Sequence, residues 1–342
     1  MQKVMIRFYI LCLGLLGFAL TETTTKALAL PDVPPEVQKT IKAHSNGRTI
    51  GNIERTTDDG EVSYDVETTS KDGGEWDLTV AENGTLLSID KALAELPAAI
   101  QTAINRQVGK GTLVGVAKQF DDGKMTYLAG IAFPDNTERD FTFAEDGTLA
   151  SQEVNLRELP PAVQTAITTQ VGKGKLEGID KAFDDGTITY EATMTNPAGQ
   201  DRAFTVAEDG TMVSQEVSLT ELPPAVQGAV TAELGKNKLE GIDKTFDNGA
   251  TTYEVTKTNP AGQDRDFTIS EQGSLVTREV SLADTPPAVQ NTITQTISDG
   301  KVLRIDRTFD TKRKLFEIEG QKDGKDFDFT VGPKGKFLGM DN

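Results

Sequence analysis

A period of 63 residues runs through this chain and limits what it can fold into. The dipeptide Pro-Pro recurs at Pro34-Pro35, Pro160-Pro161, Pro223-Pro224 and Pro286-Pro287, and the second copy carries Pro97-Ala98 in the same phase. An aromatic keeps step at Tyr64, Tyr127, Tyr190, Tyr253 and Phe316. So does a turn glycine at Gly60, Gly123, Gly186 and Gly249, and a second at Gly84, Gly147, Gly210 and Gly273, moved by a one-residue deletion to Gly335. Several markers in one phase mean a supersecondary unit repeated along the chain. The expected boundaries are 30–95, 96–158, 159–221, 222–284 and 285–342, behind a leader at 1–29.

The third copy shows the pattern of one unit. Pro161 suits the first position of a helix, where its missing N–H costs nothing. Val163, Ile167 and Val171 follow at i, i+4 and i+8, an apolar stripe on one helical face. Gly172 and Gly174 stop the helix. Ile179 to Phe183 then alternates into Asp184-Asp185-Gly186, a hairpin signature. Ile188, Tyr190, Ala192 and Met194 repeat at period two, Phe204 and Val206 mark a third strand, and Met212 to Val217 a fourth. Short connections make this an antiparallel meander. The expected fold class is α+β: five tandem modules, each one helix packed on a four-stranded antiparallel sheet in the order α-β-β-β-β. The helix covers one sheet face, and the polar alternates leave the other wet.

Composition fits several thin cores better than one deep one. Hydrophobic residues make up 37% and aromatics only 6%. The net charge of -18 repels nucleic acid and anionic lipid and favours basic partner surfaces. The terminal copies depart most from the rest. The stretch 285–342 has ten Lys/Arg against nine Asp/Glu, whereas 159–221 has four against ten. End repeats commonly differ because one face lacks a neighbour.

Residues 1–29 read as a secretory signal. Lys3 and Arg7 precede an apolar run from Phe8 to Leu20, and Ala27-Leu28-Ala29 is a cleavage pattern, with an earlier cut after Ala19 as the alternative. The only cysteine, Cys12, lies in this leader. No later segment is apolar for 18 residues, so no membrane span is expected in the mature chain.

The Pro-Pro-Ala-Val-Gln helix, the strand ending in Phe-Asp-Asp-Gly, the Tyr-Glu strand, and the Phe-Thr-Val strand turning through Glu-Asp-Gly resemble the PepSY-like, β-lactamase-inhibitor-like family, five times over. The resemblance implies an exported bacterial protein, periplasmic or secreted. It also implies inhibition of, or docking on, another extracytoplasmic protein.

The residues themselves point away from catalysis. No thiol remains after the leader, His44 is the only histidine, and no G-x-S-x-G elbow accompanies it. Gly172-Lys173-Gly174 and Gly109-Lys110-Gly111 follow a helix instead of preceding one, so they are helix stops and not phosphate loops. The acidic turns Asp58-Asp59-Gly60, Asp121-Asp122-Gly123, Asp184-Asp185-Gly186 and Asp247-Asn248-Gly249 could be weighed as calcium ligands, but Asp and Gly make such turns without a metal. No catalytic residue, cofactor or metal site is expected. Trp76, the only tryptophan, is the candidate interaction anchor, and Lys312-Arg313-Lys314 is a basic hairpin tip. The expected function is an exported non-catalytic repeat protein that binds, and in the stronger form inhibits, an extracytoplasmic protein. The alternative is a structural or calcium-stabilised envelope protein.

Overall fold

The computed structural model describes residues 26–341 apart from 59–60, 122–123, 185, 248, 261, 310–313 and 323–324. The leader residues 1–25 with Cys12, the turn residues Asp59-Gly60, Asp122-Gly123, Asp185 and Asn248, and Lys312-Arg313 lie outside the described residues. The protein is α+β, with five α-helices among the described residues and strands paired antiparallel throughout. It divides into two compact units, Phe18–Met212 and a second that takes in Val213–Asn342.

In the first unit the chain runs β1 (Lys26–Leu28), α1 (Pro35–His44), β2 (Thr49–Asp58), β3 (Glu61–Thr69), β4 (Glu75–Ala81) and β5 (Leu86–Asp90). It continues with α2 (Ala98–Val108), β6 (Thr112–Asp121), β7 (Lys124–Ala132), β8 (Glu138–Ala144) and β9 (Leu149–Glu153). Then come α3 (Pro161–Val171), β10 (Lys175–Asp184), β11 (Thr187–Thr195) and β12 (Asp201–Ala207). Consecutive strands pair with one another from β1 to β12, including the steps from one repeat to the next, β5 onto β6 and β9 onto β10.

The second unit holds β13 (Met212–Glu216), α4 (Pro224–Leu234), β14 (Lys238–Asp247), β15 (Ala250–Thr258), β16 (Asp264–Ser270) and β17 (Leu275–Glu279). It ends with α5 (Pro287–Ile297), β18 (Lys301–Thr308), β19 (Phe316–Lys322), β20 (Lys325–Val331) and β21 (Phe337–Asp341). Here too consecutive strands pair, with β13 on β14 and β17 on β18 joining repeats. Neighbouring repeats therefore meet by strand pairing. Each join uses three opposed residue pairs, as in Ser88, Ile89 and Asp90 against Gln119, Lys118 and Ala117.

Local chemistry explains the elements. In α3 the stripe residues Val163 and Ile167 are fully buried, packed with Ile179, Tyr190, Ala192, Phe204 and Val206. Burial of each such aliphatic side chain contributes about 1.5–3 kcal/mol. The Gln164 side chain donates to the Leu159 carbonyl at 2.8 Å and ties the helix start to the residue before the prolines. Gln38, Gln101 and Gln290 repeat that bond. Gly172 ends the helix at φ +53. Gly210 is required twice over: its φ is +88, and a Cβ there would sit 2.9 Å from the Ala162 carbonyl oxygen of α3.

Two features differ from the sequence reading. The three-residue linkers are short 3-10 turns, such as Leu156–Glu158, in which the Glu158 carboxylate accepts the Asn155 N–H at 3.0 Å. Ala27 and Leu28, inside the expected cleavage pattern, form β1 along the edge of β2, and Leu28 packs against the first core. A cut after Ala29 removes this strand, and a cut after Ala19 keeps it. Among the described residues no helix is long and apolar enough to cross a membrane.

Candidate functional site

Alternation along a strand sends successive side chains to opposite faces. On β10, Ile179 enters the core, so Asp180 takes the face turned away from the helix; on β8, Phe141 enters the core and Asp140 takes the open face. Register decides which of these open-face groups meet. Glu153 of β9 lies opposite Asp180, and Glu191 of β11 flanks Asp180 on its other side. Phe141 pairs with Gln152, which brings Asp140 level with Glu153. Four carboxylates therefore follow one another across β8, β9, β10 and β11, and the row passes from the second repeat into the third. Directly opposed residues have Cβ atoms about 4.5–5.5 Å apart, where like charges destabilise a sheet.

All four groups are held above the ordinary carboxylate range. Asp180 is pushed up to about 7, first by burial and then by Glu191, Glu153 and Asp140. Asp140 is raised to about 6 by burial, with Glu153 and Glu138 adding to it. Burial also raises Glu153, against the pull of the Asp140 N–H and Arg139, and burial raises Glu191. Arg139 commits its guanidinium to Glu158 at 2.6 Å. Among the described residues, no lysine or arginine forms an ion pair with Asp140, Asp180 or Glu191. Asp180, at about 7, thus keeps a share of its proton near neutral pH, where an isolated carboxyl is fully ionised.

The fourth and fifth repeats build the same row with a different outcome. Asp266 of β16, Glu279 of β17 and Asp306 of β18 occupy the corresponding positions. Arg304 spans them, with Nη1 2.5 Å from Asp266 Oδ2 and Nε 2.6 Å from Asp306 Oδ2. Arg265 reaches Glu279 at 2.6 Å. Arg304 sits at a β-bulge of β18, and 126 residues earlier the equivalent bulge of β10 holds Gly178. A Cβ at Gly178 would meet only Thr193 Oγ1, at 3.4 Å. Where the first repeat joins the second, the row is shorter. The Asp77 N–H donates to Asp90 Oδ2 at 3.0 Å, and burial raises Asp90 to about 6.

The residues singled out from sequence lie elsewhere. Trp76 stands half-buried on β4, on the side of Leu78, with the Arg48 guanidinium 4.3 Å from its ring centre. His44 is the last residue of α1. Asp58, Asp121, Asp184 and Asp247 end their strands, and among the described residues no group of three or more His, Cys, Asp or Glu is placed to hold a metal ion. The row itself was missed because it exists only once the register between repeats is known. Its one signal in sequence is the change from Gly178 to Arg304 when the copies are aligned. Chemically, Asp180 can exchange a proton near neutral pH, and the row can accept a guanidinium or ammonium group, as the equivalent row does from Arg304.

The family described as "Putative beta-lactamase-inhibitor-like, PepSY-like" matches residues 19–88, 188–277 and 276–339. No curated protein matches the chain. Among solved structures, a "putative calcium-regulated periplasmic protein" of Bacteroides thetaiotaomicron is 21% identical, spanning 38% of this chain and 97% of its own, with a TM-score of 0.26. A "BLIP-like protein" of Bacteroides fragilis is 20% identical over 35% of this chain and 84% of its own, with a TM-score of 0.27. A structure from Bacteroides eggerthii described as "putative periplasmic proteins" is 22% identical over 35% of this chain and 88% of its own, with a TM-score of 0.29.

Proposed function

This chain belongs to the PepSY-like, beta-lactamase-inhibitor-like family, and from that premise we propose that it is an exported, non-catalytic repeat protein that docks on another extracytoplasmic protein. The docking surface is the open sheet face at the join of the second and third repeats, and the partner offers it arginine or lysine side chains. One observation carries this reading: Asp140, Glu153, Asp180 and Glu191 stand in register there, while the equivalent row two repeats later is spanned by Arg304. The chain's own guanidinium is the template for the partner's. Each repeat is read as a closed unit of one helix over four strands, within the boundaries given above. Trp76, on the helix side of the first repeat, is proposed as a separate anchor. Inhibition of the captured protein is the stronger form of the proposal.

The test is capture from the extracytoplasmic fraction of the source, using the immobilised chain and its Gly178→Arg variant side by side. The variant supplies the cation internally and should release the partner, and retention by the wild type should fall as salt rises. Equal retention by both proteins contradicts docking at the row. Nothing retained, together with a rise in melting temperature on adding calcium, favours the calcium-stabilised envelope protein instead.

A further inference from the structure

We propose that the fifth repeat holds a binding pocket for a small organic anion, a carboxylate on an apolar body, seated between Arg307 and Lys314. A cavity of about 250 Å³ lies there, lined by Arg307, Lys314, Phe316, Pro286 and Pro333 among others. It is on the helix side of the sheet. Ile305 of β18 enters the core, and Arg307 follows two residues later on the same strand face. Asp266, Glu279 and Asp306 take the opposite face, so the pocket is independent of the docking surface proposed above.

The earlier repeats fill the same place differently. In the fourth, Tyr253, Glu271 and Thr251 stand where the fifth has Phe316, Pro333 and Lys314. The second and third repeats keep the same pair, as Tyr127 with Glu145 and Tyr190 with Glu208. Burial, and then these glutamates, hold the three phenols above their ordinary range, so each carboxylate stands near its ring. The place of Arg307 is taken by Lys118, Lys181 and Lys244, each over the phenylalanine two residues on, at 4.9, 5.2 and 5.0 Å. Lys181 also lies 5.8 Å from the Tyr190 ring centre. In those repeats one cation and one carboxylate therefore share a tyrosine's surroundings. In the fifth repeat the hydroxyl and the carboxylate are gone, and a second cation has come in.

The positive charge here is left without an answer from the chain. Arg278 sits directly across the strands from Arg307, where the earlier joins set Ile89, Gln152 and Gln215 against a lysine. Like charges opposed in a sheet repel. Arg278 is paired with Glu233 of α4. Arg307 rests instead on the Phe309 ring, 4.9 Å from its centre, with Arg278 5.4 Å from the same ring. Among the described residues neither Arg307 nor Lys314 forms an ion pair, and Arg307 Nε is buried with no hydrogen-bond partner. Such unpaired groups are few in folded chains. The one acid lining the cavity, Asp284, accepts the Ser281 hydroxyl at 2.6 Å. A carboxylate entering the cavity restores the charge that Glu271 carries in the fourth repeat, and Phe316, Pro286 and Pro333 give its body an apolar wall. The volume is below the roughly 300–1,000 Å³ of pockets for drug-sized ligands, so the ligand is small.

Benzoate is the probe, read at the Arg307 Nε–H resonance of the full chain, which Arg307→Lys identifies by its loss. That resonance should move on titration and saturate with a dissociation constant on the order of 1 mM, as suits a ligand of this size. Lys314→Thr, which installs the residue of the fourth repeat, should weaken binding at least about tenfold by removing one charge-assisted contact. Pro333→Glu, which restores the acid of the earlier repeats, should abolish it. Both positions are exposed, so both variants should fold. Benzyl alcohol and inorganic phosphate separate body from charge, and each should bind at least about tenfold more weakly than benzoate. A resonance that stays in place at about 50 mM benzoate overturns the proposal. So does benzoate binding that neither variant weakens, or benzyl alcohol or phosphate binding as tightly as benzoate.

Discussion

Two joins in this molecule use the same strand pairing and opposite electrostatics. Between the second and third repeats, Asp140, Glu153, Asp180 and Glu191 face one another, and the nearest guanidinium, Arg139, is engaged by Glu158. Between the fourth and fifth, Asp266 and Asp306 are bound to Arg304, and Glu279 to Arg265. The backbone does not decide this difference, since both joins run through three opposed pairs. The residue at the bulge differs, Gly178 in the first case and Arg304 in the second, and the equivalent arginines Arg139 and Arg265 turn to different carboxylates. A repeat scaffold can hold its geometry while single positions turn a join into a self-satisfied contact or a surface for a partner.

The sharpest way to break the comparison is to convert the fourth join into the second. Arg304→Ala leaves Asp266, Glu279 and Asp306 side by side across β16, β17 and β18, with Arg265 on Glu279 as their one remaining guanidinium among the described ion pairs. These half-buried acids are partly screened by solvent, so the expected loss is roughly 2 kcal/mol. It should appear at pH 8 as a lower midpoint for the Val213–Asn342 unit in a denaturant melt. The reverse change is next in size. Gly178→Arg should stabilise the Phe18–Met212 unit by about 1 kcal/mol at pH 8, with the gain fading at pH 5 as the carboxylates take up protons. An equal gain at both pH values would assign the effect to the loss of glycine flexibility.

Asp180→Asn removes the central charge of the row and should raise the pH 8 midpoint by a somewhat smaller amount. A drop in that midpoint would mean that the Asp180 carboxylate makes favourable contacts which outweigh the repulsion. The smallest effect is expected at Glu158→Gln, which weakens an exposed ion pair to Arg139 and should cost less than about 1 kcal/mol. If that substitution instead lowers the pKa of Glu153 in an NMR titration, Arg139 has turned from Glu158 towards the row.

The sequence made the repeats legible because packing residues carry them. Val163 and Ile167 in α3, Tyr190 in β11 and the turn at Gly210 all stand where a period of 3.6, a period of 2 and a positive φ require. The 3-10 turns were readable in principle. Asn155 with Glu158 and Ser218 with Glu221 have the spacing at which a carboxylate returns to cap a backbone N–H. The candidate site was not readable in this way. Asp140, Glu153, Asp180 and Glu191 are unremarkable polar alternates on four separate strands. Only the pairing of β9 with β10 aligns them, and three residue pairs leave too faint a trace in sequence to set that register. Trp76 drew notice as a lone residue type, yet the structure places it on the other side of its strand, under Arg48.

The most direct test of the account is the pH dependence of stability for the wild type and Gly178→Arg, followed by calorimetry of the full chain. A carboxyl raised in the folded state binds protons that the unfolded state has already lost. Stability must therefore fall as pH climbs from about 4, the unfolded value, to about 7 for Asp180, and level off above that. The account predicts that the Phe18–Met212 unit of the wild type melts higher at pH 5 than at pH 8, and that Gly178→Arg flattens this slope. Parallel curves for the two proteins, or a wild type that loses stability on going from pH 8 to pH 5, would contradict it.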